Sequence, residues 1–247
     1  MSKKEKIISS LELLKESWLI YQKNLWKFIE VILYGLVGMI PFFIVTMLIV
    51  AYSASGLSAK VSFSVNMFLG LLVFLAFIAS IYLAVVYSIR AKVASILLLK
   101  NNFTSAKENF KEAKPYFVRF LGVSLLLVVL VIAWGLVFVI PALIFAIYYG
   151  FAQYVLVVEE KRPFSSVERS YDLVKGYFWP VFGRFMLIMA IGIAIYILIS
   201  WPLKYLAETS AWFMSYDVFM NLVWVIISPY FIIYPYKIYE SLKKTNK

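Results

Sequence analysis

The chain has 247 residues, of which 64% are hydrophobic and only 15% charged, with 24 Lys and Arg against 13 Asp and Glu for a net charge of +11. A soluble domain holds roughly a quarter charged residues and about half apolar ones, so the composition excludes an ordinary soluble domain and points to lipid as the solvent. Cys and His are both absent, which excludes disulfide and thiolate chemistry and removes the commonest general base and metal ligand.

From the start, Lys3, Lys4 and Lys6 lead into an amphipathic stretch, not into the apolar core of a signal peptide, so the first span is expected to stay as an anchor. A short interfacial helix is expected over 9–23. Ser9-x-x-Glu12 opens it as a capping box, and Leu14, Trp18, Tyr21 and Leu25 share one face. Two uncharged runs follow, 31–59 and 61–89, and place spans over about 28–52 and 64–89. Asn66 is a polar side chain inside the second. The next interfacial helix is expected over 105–114, opened by Ser105-x-x-Glu108, with Ala106, Phe110, Ala113 and Phe117 on its apolar face.

The run 120–158 is uncharged for 39 residues. As one helix it would extend about 58 Å, nearly twice the roughly 30 Å of hydrocarbon. Pro141 lies near its middle and has no N–H to donate, so the run is read as two spans, 120–140 and 141–158, joined by a tight hairpin. Gln153 sits inside the fourth span, where an interhelical hydrogen bond is the simplest role and a cavity lining or a lipid-headgroup contact the others. Glu159 and Glu160 end that span, and Arg90, Arg119 or Arg184 are their expected partners. A third interfacial helix over 165–175 follows, with Ser165-x-x-Glu168 as its capping box and Val167, Tyr171, Val174 and Phe178 on one face. The last spans are expected over 182–203 and 218–237. Pro202, Pro229 and Pro235 should bend or end them.

Charge tests the count. With six spans, 22 of the 24 cations fall on one side, whereas five spans divide them 14 against 10. Basic residues mark the cytoplasmic side, so six spans with both termini cytoplasmic are expected, in the cell membrane. Trp26, Trp179, Trp201 and Trp212 lie near span ends, as interfacial aromatics do, while Trp134 and Trp224 are further in and read as packing residues. The fold class is thus all-α: one polytopic bundle of six transmembrane helices over 1–247, with short amphipathic cytoplasmic helices. Three repeated units of interfacial helix plus hairpin are suggested by a gapless match of 103–117 with 164–178, which pairs Phe110 with Tyr171, Lys114 with Lys175 and Pro115 with Gly176.

The stretch 141–160, PALIFAIYYGFAQYVLVVEE, followed by Ser170 and Leu173-Val-Lys175-Gly176, resembles a group of uncharacterised bacterial multi-pass proteins related to the membrane domain of glycerophosphodiester phosphodiesterases. Those sequences often show Pro-Gly before the fourth span, an acidic residue at its cytoplasmic end, and then a Ser and a Leu-x-Lys-Gly. Pro141-Ala142 departs from Pro-Gly. The resemblance implies a six-span domain. It does not imply phosphodiester cleavage, which in those enzymes uses histidines and a carboxylate-bound metal.

No charged residue is expected well inside a span, which argues against ion-coupled transport through carboxylates. Ser80, Ser88, Ser124, Ser200 and Ser228 lack a base to activate them, so back-bonding and packing are their expected roles. No catalytic, cofactor or metal residue is assigned. The candidate cavity or structural positions are Gln153, Asn66, Pro141, Glu159, Glu160, Ser170, Lys175 and Gly176. The expected partners are membrane lipids, in particular anionic inner-leaflet headgroups, and not nucleic acid. The function reading is a non-enzymatic module that contacts lipid or scaffolds a partner. The alternative is a permease for a neutral or lipid-like solute.

Overall fold

A computed structural model describes residues 8–56, 61–201 and 211–245, and all regular structure among them is helical. Lys3, Lys4, Lys6, Lys60, Pro202 and Lys204, which the sequence reading used, lie outside the described residues, as does the side chain of Trp212.

The first helix, α1, runs unbroken from Ser10 to Val37. The expected interfacial helix over 9–23 is therefore no separate element. The charges at Lys15, Glu16, Lys23, Lys27 and Glu30 colour one part of the helix without interrupting it, because straight-chain charged residues are good helix formers. Ser9 caps it as its spacing predicts, accepting from the Glu12 N–H at 3.2 Å. The chain bends by 43° at Gly38–Met39 before α2, Ile40–Ala54. Close approach explains the glycines at the bend. A Cβ on Gly35 would stand 2.8 Å from the Ala91 Cβ, and one on Gly38 would collide with Tyr87.

Helix α3, Phe63–Lys100, extends a further 11 residues beyond the span end expected at Ile89. Its last turns, Val93–Leu99, are buried on every side. A seven-residue apolar run between Lys92 and Lys100 is too short to read as a span, and all-round burial removes any amphipathic period that would mark it. Helix α4, Ala106–Glu112, is capped by Ser105, which accepts from Glu108 N–H at 3.5 Å. A single 3₁₀ turn at Lys114–Tyr116 leads into α5, Phe117–Val137.

Helix α5 ends at Phe138, which is extended (φ −161°, ψ 145°), and α6 spans Val139–Tyr149. The reversal is thus at Phe138 and not at Pro141. Pro141 sits in the first turn of α6, where its missing N–H costs nothing. The two arms are antiparallel. Ser124 meets Gln153, Trp134 stacks on Phe145 at 4.1 Å, and Gly135 faces Ala142, all pairs centred on Phe138 and Val139.

The expected span over 141–158 is itself interrupted at Gly150 and resumes as α7, Ala152–Val158. Helix α8, Pro163–Val174, begins two residues before Ser165. Its N-cap is Arg162, which makes no side-chain capping bond, so the third expected capping box is not one. Pro163 at the first helical position supplies the start instead. Helix α9 covers Phe178–Ser200 and α10 covers Ala211–Ile227. The sixth expected span breaks at Ser228–Pro229, and α11 continues from Tyr230 to Thr245, well past 237. Pro235 lies inside α11 without ending it.

Five of these helical stretches, or six if the bent α1–α2 pair is one, are long and apolar enough to cross a membrane. Burial is concentrated at one end. The first half of α1, the end of α3, and α4, α7, α8 and α11 form a single core that includes Leu13, Phe28, Leu97, Leu156, Leu173 and Tyr239. The other ends expose large apolar side chains such as Met47, Phe63, Leu136, Ile140 and Leu198.

Candidate functional site

The charged ends of the chain converge on that core. Glu159 caps α7, and its side chain is 13% exposed. The Tyr239 hydroxyl donates to it at 2.9 Å, and Arg169, Lys161 and Lys243 stand 3.6, 3.7 and 3.8 Å away. Glu160, in the left-handed region at φ 55°, pairs with Lys100 at 2.7 Å. That bond and the charge of Lys100 hold the Glu160 carboxyl below the ordinary carboxylate range. Lys237 bridges Glu16 and Glu240 at 3.2 and 2.7 Å.

None of the partners expected for Glu159 and Glu160 forms an ion pair with them among the described residues, although the charge of Arg119 also acts on Glu160. Arg90 instead donates to the Phe110 carbonyl at 3.0 Å with its guanidinium 4.3 Å from that ring, and Arg184 reaches the Ile8 carbonyl. Cation spacing in sequence says which end a residue occupies, but not which helix neighbours it there.

The remaining candidates resolve into structural roles. Ser170 is fully buried on α8. It donates to the Tyr148 carbonyl at 2.8 Å and accepts from the Phe151 N–H at 3.1 Å. Those backbone groups are what the break at Gly150 leaves open, so Ser170 splices α6 to α7. Gly176 has φ +86°, a conformation costly for any residue with a Cβ, and it turns the chain from α8 into α9. Lys175, beside it, is exposed. Gln153 donates to Ser124 Oγ at 3.0 Å, the interhelical bond expected of it. Asn66 accepts from the Tyr52 hydroxyl and donates to the Val61 carbonyl at 3.1 Å. It lines an apolar cleft of about 350 Å³ between α2 and α3, at the end away from the core. The residues singled out by sequence are therefore not brought together into one pocket. Four of the five serines without a base, Ser80, Ser124, Ser200 and Ser228, bond back to carbonyls three or four residues earlier.

One group of side chains escaped the sequence reading. Arg184 lies in the second turn of α9, is 5% exposed, and leaves Nε and Nη1 without a hydrogen-bond partner among the described residues. The hydroxyls of Tyr234 on α11 and Ser17 on α1 are buried and unpartnered as well. Arg184 sits one residue before an uncharged run and falls at the very start of the span expected over 182–203. The helix start at Phe178 sets it a full turn deeper.

Among the described residues no group of three carboxylates is disposed to hold a metal ion. Comparison of the chain with family models, curated proteins and solved structures gives no match.

Proposed function

We propose that the chain is a non-enzymatic, lipid-contacting membrane module: a packed cytoplasmic platform carrying three apolar hairpins into the bilayer. One observation carries this. Lys100 meets Glu160, Glu16 meets Lys237, and Glu159 meets Tyr239 and Lys243, so segments near residues 16, 100, 160 and 240 all gather at one end. The chain between each pair of gathering points leaves that end and returns. With the cations on the platform, the positive-inside rule makes that end cytoplasmic and gives six crossings. Both termini then face the cytoplasm of the cell that carries it. The resemblance carried by 141–176 fits the same reading, since Ser170 and Gly176 build the splice and turn that seat the platform.

The platform interior is filled by side chains, and the exposed surface of the hairpins is apolar, which suits lipid contact and not a polar conduit. Gln153 is engaged within the second hairpin, and the cleft at Asn66 is apolar and lies at the far end. Purified protein examined by native mass spectrometry should retain lipid, and liposomes containing it should pass neutral solutes no faster than empty ones. Saturable flux in those liposomes would establish the permease instead.

A further inference from the structure

A cation buried in a low-dielectric interior is strongly penalised unless something of opposite charge or hydrogen-bonding capacity meets it. Among the described residues Arg184 has one protein acceptor, the Ile8 carbonyl, and its Nε and Nη1 are unmet. It interacts electrostatically with Tyr234, whose hydroxyl is also unmet. Packing does not demand an arginine here. The 3₁₀ turn before α5 and the Gly176 turn before α8 gives way to α9 put Phe117 and Phe178 at matching helix starts. In that register the counterpart of Arg184 is Val123, which is fully buried and apolar.

One helical turn further along each helix lies an apolar cleft of about 310 Å³. It is lined by Ile188 and Ile191 on α9, Trp18 and Tyr21 on α1, and Tyr230 and Phe231 by α11. Ile188 follows Arg184 by one turn, Tyr230 precedes Tyr234 by one turn, and Tyr21 follows Ser17 by one turn. Helices α1 and α9 leave the platform while α11 returns to it. Arg184 and Tyr234, which interact electrostatically, therefore lie on the platform side of the cleft, as does Ser17 on α1. Tyr21 and Tyr230 are in contact, with ring centroids 6.0 Å apart, so the α1 and α11 walls are joined.

We propose that this site binds one anionic phospholipid, with its phosphate on Arg184 and Tyr234 and an acyl chain along the cleft. The inference rests on the lipid-contacting reading above and names its ligand and place. A phosphodiester supplies the acceptor oxygens that the guanidinium lacks. A chain in the cleft covers apolar wall that no side chain covers.

The test uses the full chain in lipid-free detergent, with phosphatidylglycerol, phosphatidylcholine or inorganic phosphate added, read by native mass spectrometry and thermal melting. One phosphatidylglycerol per chain should be retained, with phosphatidylcholine bound roughly tenfold or more weakly. Inorganic phosphate should give no protection. Arg184→Leu should remove the preference for phosphatidylglycerol and keep the melting transition. Ile191→Trp, which fills the cleft, should weaken both lipids alike. Equal retention by Arg184→Leu, or protection by inorganic phosphate equal to that by phosphatidylglycerol, overturns the proposal. If Arg184→Leu fails to fold, Tyr234→Phe decides: a several-fold loss of phosphatidylglycerol supports the site and no change overturns it. Glu5→Gln removes the one carboxylate ahead of Ile8. It should leave the preference unchanged, and a gain in lipid binding would make that carboxylate the native counter-ion and overturn the site. The broader module reading fails separately, through saturable solute flux, whatever Arg184 binds.

Discussion

Ser170 illustrates how a polar residue in an apolar context can be required by the backbone alone. A hydroxyl that serves one carbonyl and one N–H at a helix break cannot be replaced by a smaller apolar group without leaving both unmet. Ser170→Ala should therefore destabilise the protein by about 1–3 kcal/mol, measured by thermal unfolding in detergent. Ser165→Ala, at an exposed position that caps nothing, should change it by less than about 0.5 kcal/mol. Gly176→Ala should cost about 1–2 kcal/mol, because its φ of +86° is a left-handed conformation. Glu159→Ala should cost about 1–3 kcal/mol, because it leaves the buried Tyr239 hydroxyl without its acceptor, and more than Glu160→Ala, whose carboxylate is exposed. The Glu160 carboxyl is held below its ordinary range by Lys100. Its pairing is accordingly complete above the unfolded carboxylate value and is lost as pH falls through the lower folded value. Melting scans at stepwise lower pH should show that contribution vanish in Glu160→Gln.

At the scale of elements, helices were legible where apolar runs were long, and boundaries were not. The hairpin within 120–158 follows from length alone, since no bilayer accommodates 39 helical residues in one pass. Its turn falls at Phe138 because a proline is tolerated in a first helical turn and need not mark the reversal. Cutting the chain at charges hid Val93–Leu99, the segment buried on all sides, because Lys92 and Lys100 bracket it. The same cutting hid Arg184, which ends a charged segment in sequence but is buried within a helix in space. The helix starts at Phe117 and Phe178 precede the expected 120 and 182, because the aromatic residues ahead of each uncharged run already join the helix, and the third capping box failed because Pro163 already sets the helix. The α1–α3 contact gives a test at this scale. Gly38→Ala should force the helices apart at Tyr87 and cost about 1–3 kcal/mol, with Gly70→Ala serving as a comparison where no neighbouring atom stands within 4 Å.

The whole molecule reverses the usual picture of a membrane bundle. Its core is a platform of charged-end segments and short helices, and its long apolar helices are attached to that platform by one end. Ion pairs, the Ser170 splice and the aromatic packing of Tyr154, Tyr236 and Tyr239 all belong to the platform. Its stability should thus depend little on bilayer thickness and strongly on platform substitutions. The account stands on the return of the second hairpin to the platform. The chain lacks Cys, so single cysteines report position cleanly to a membrane-impermeant maleimide in intact cells. Phe138→Cys should react from outside, and Arg162→Cys only after the membrane is permeabilised. Labelling of Arg162→Cys in intact cells would put α8 on the opposite side from Lys100 and contradict the account.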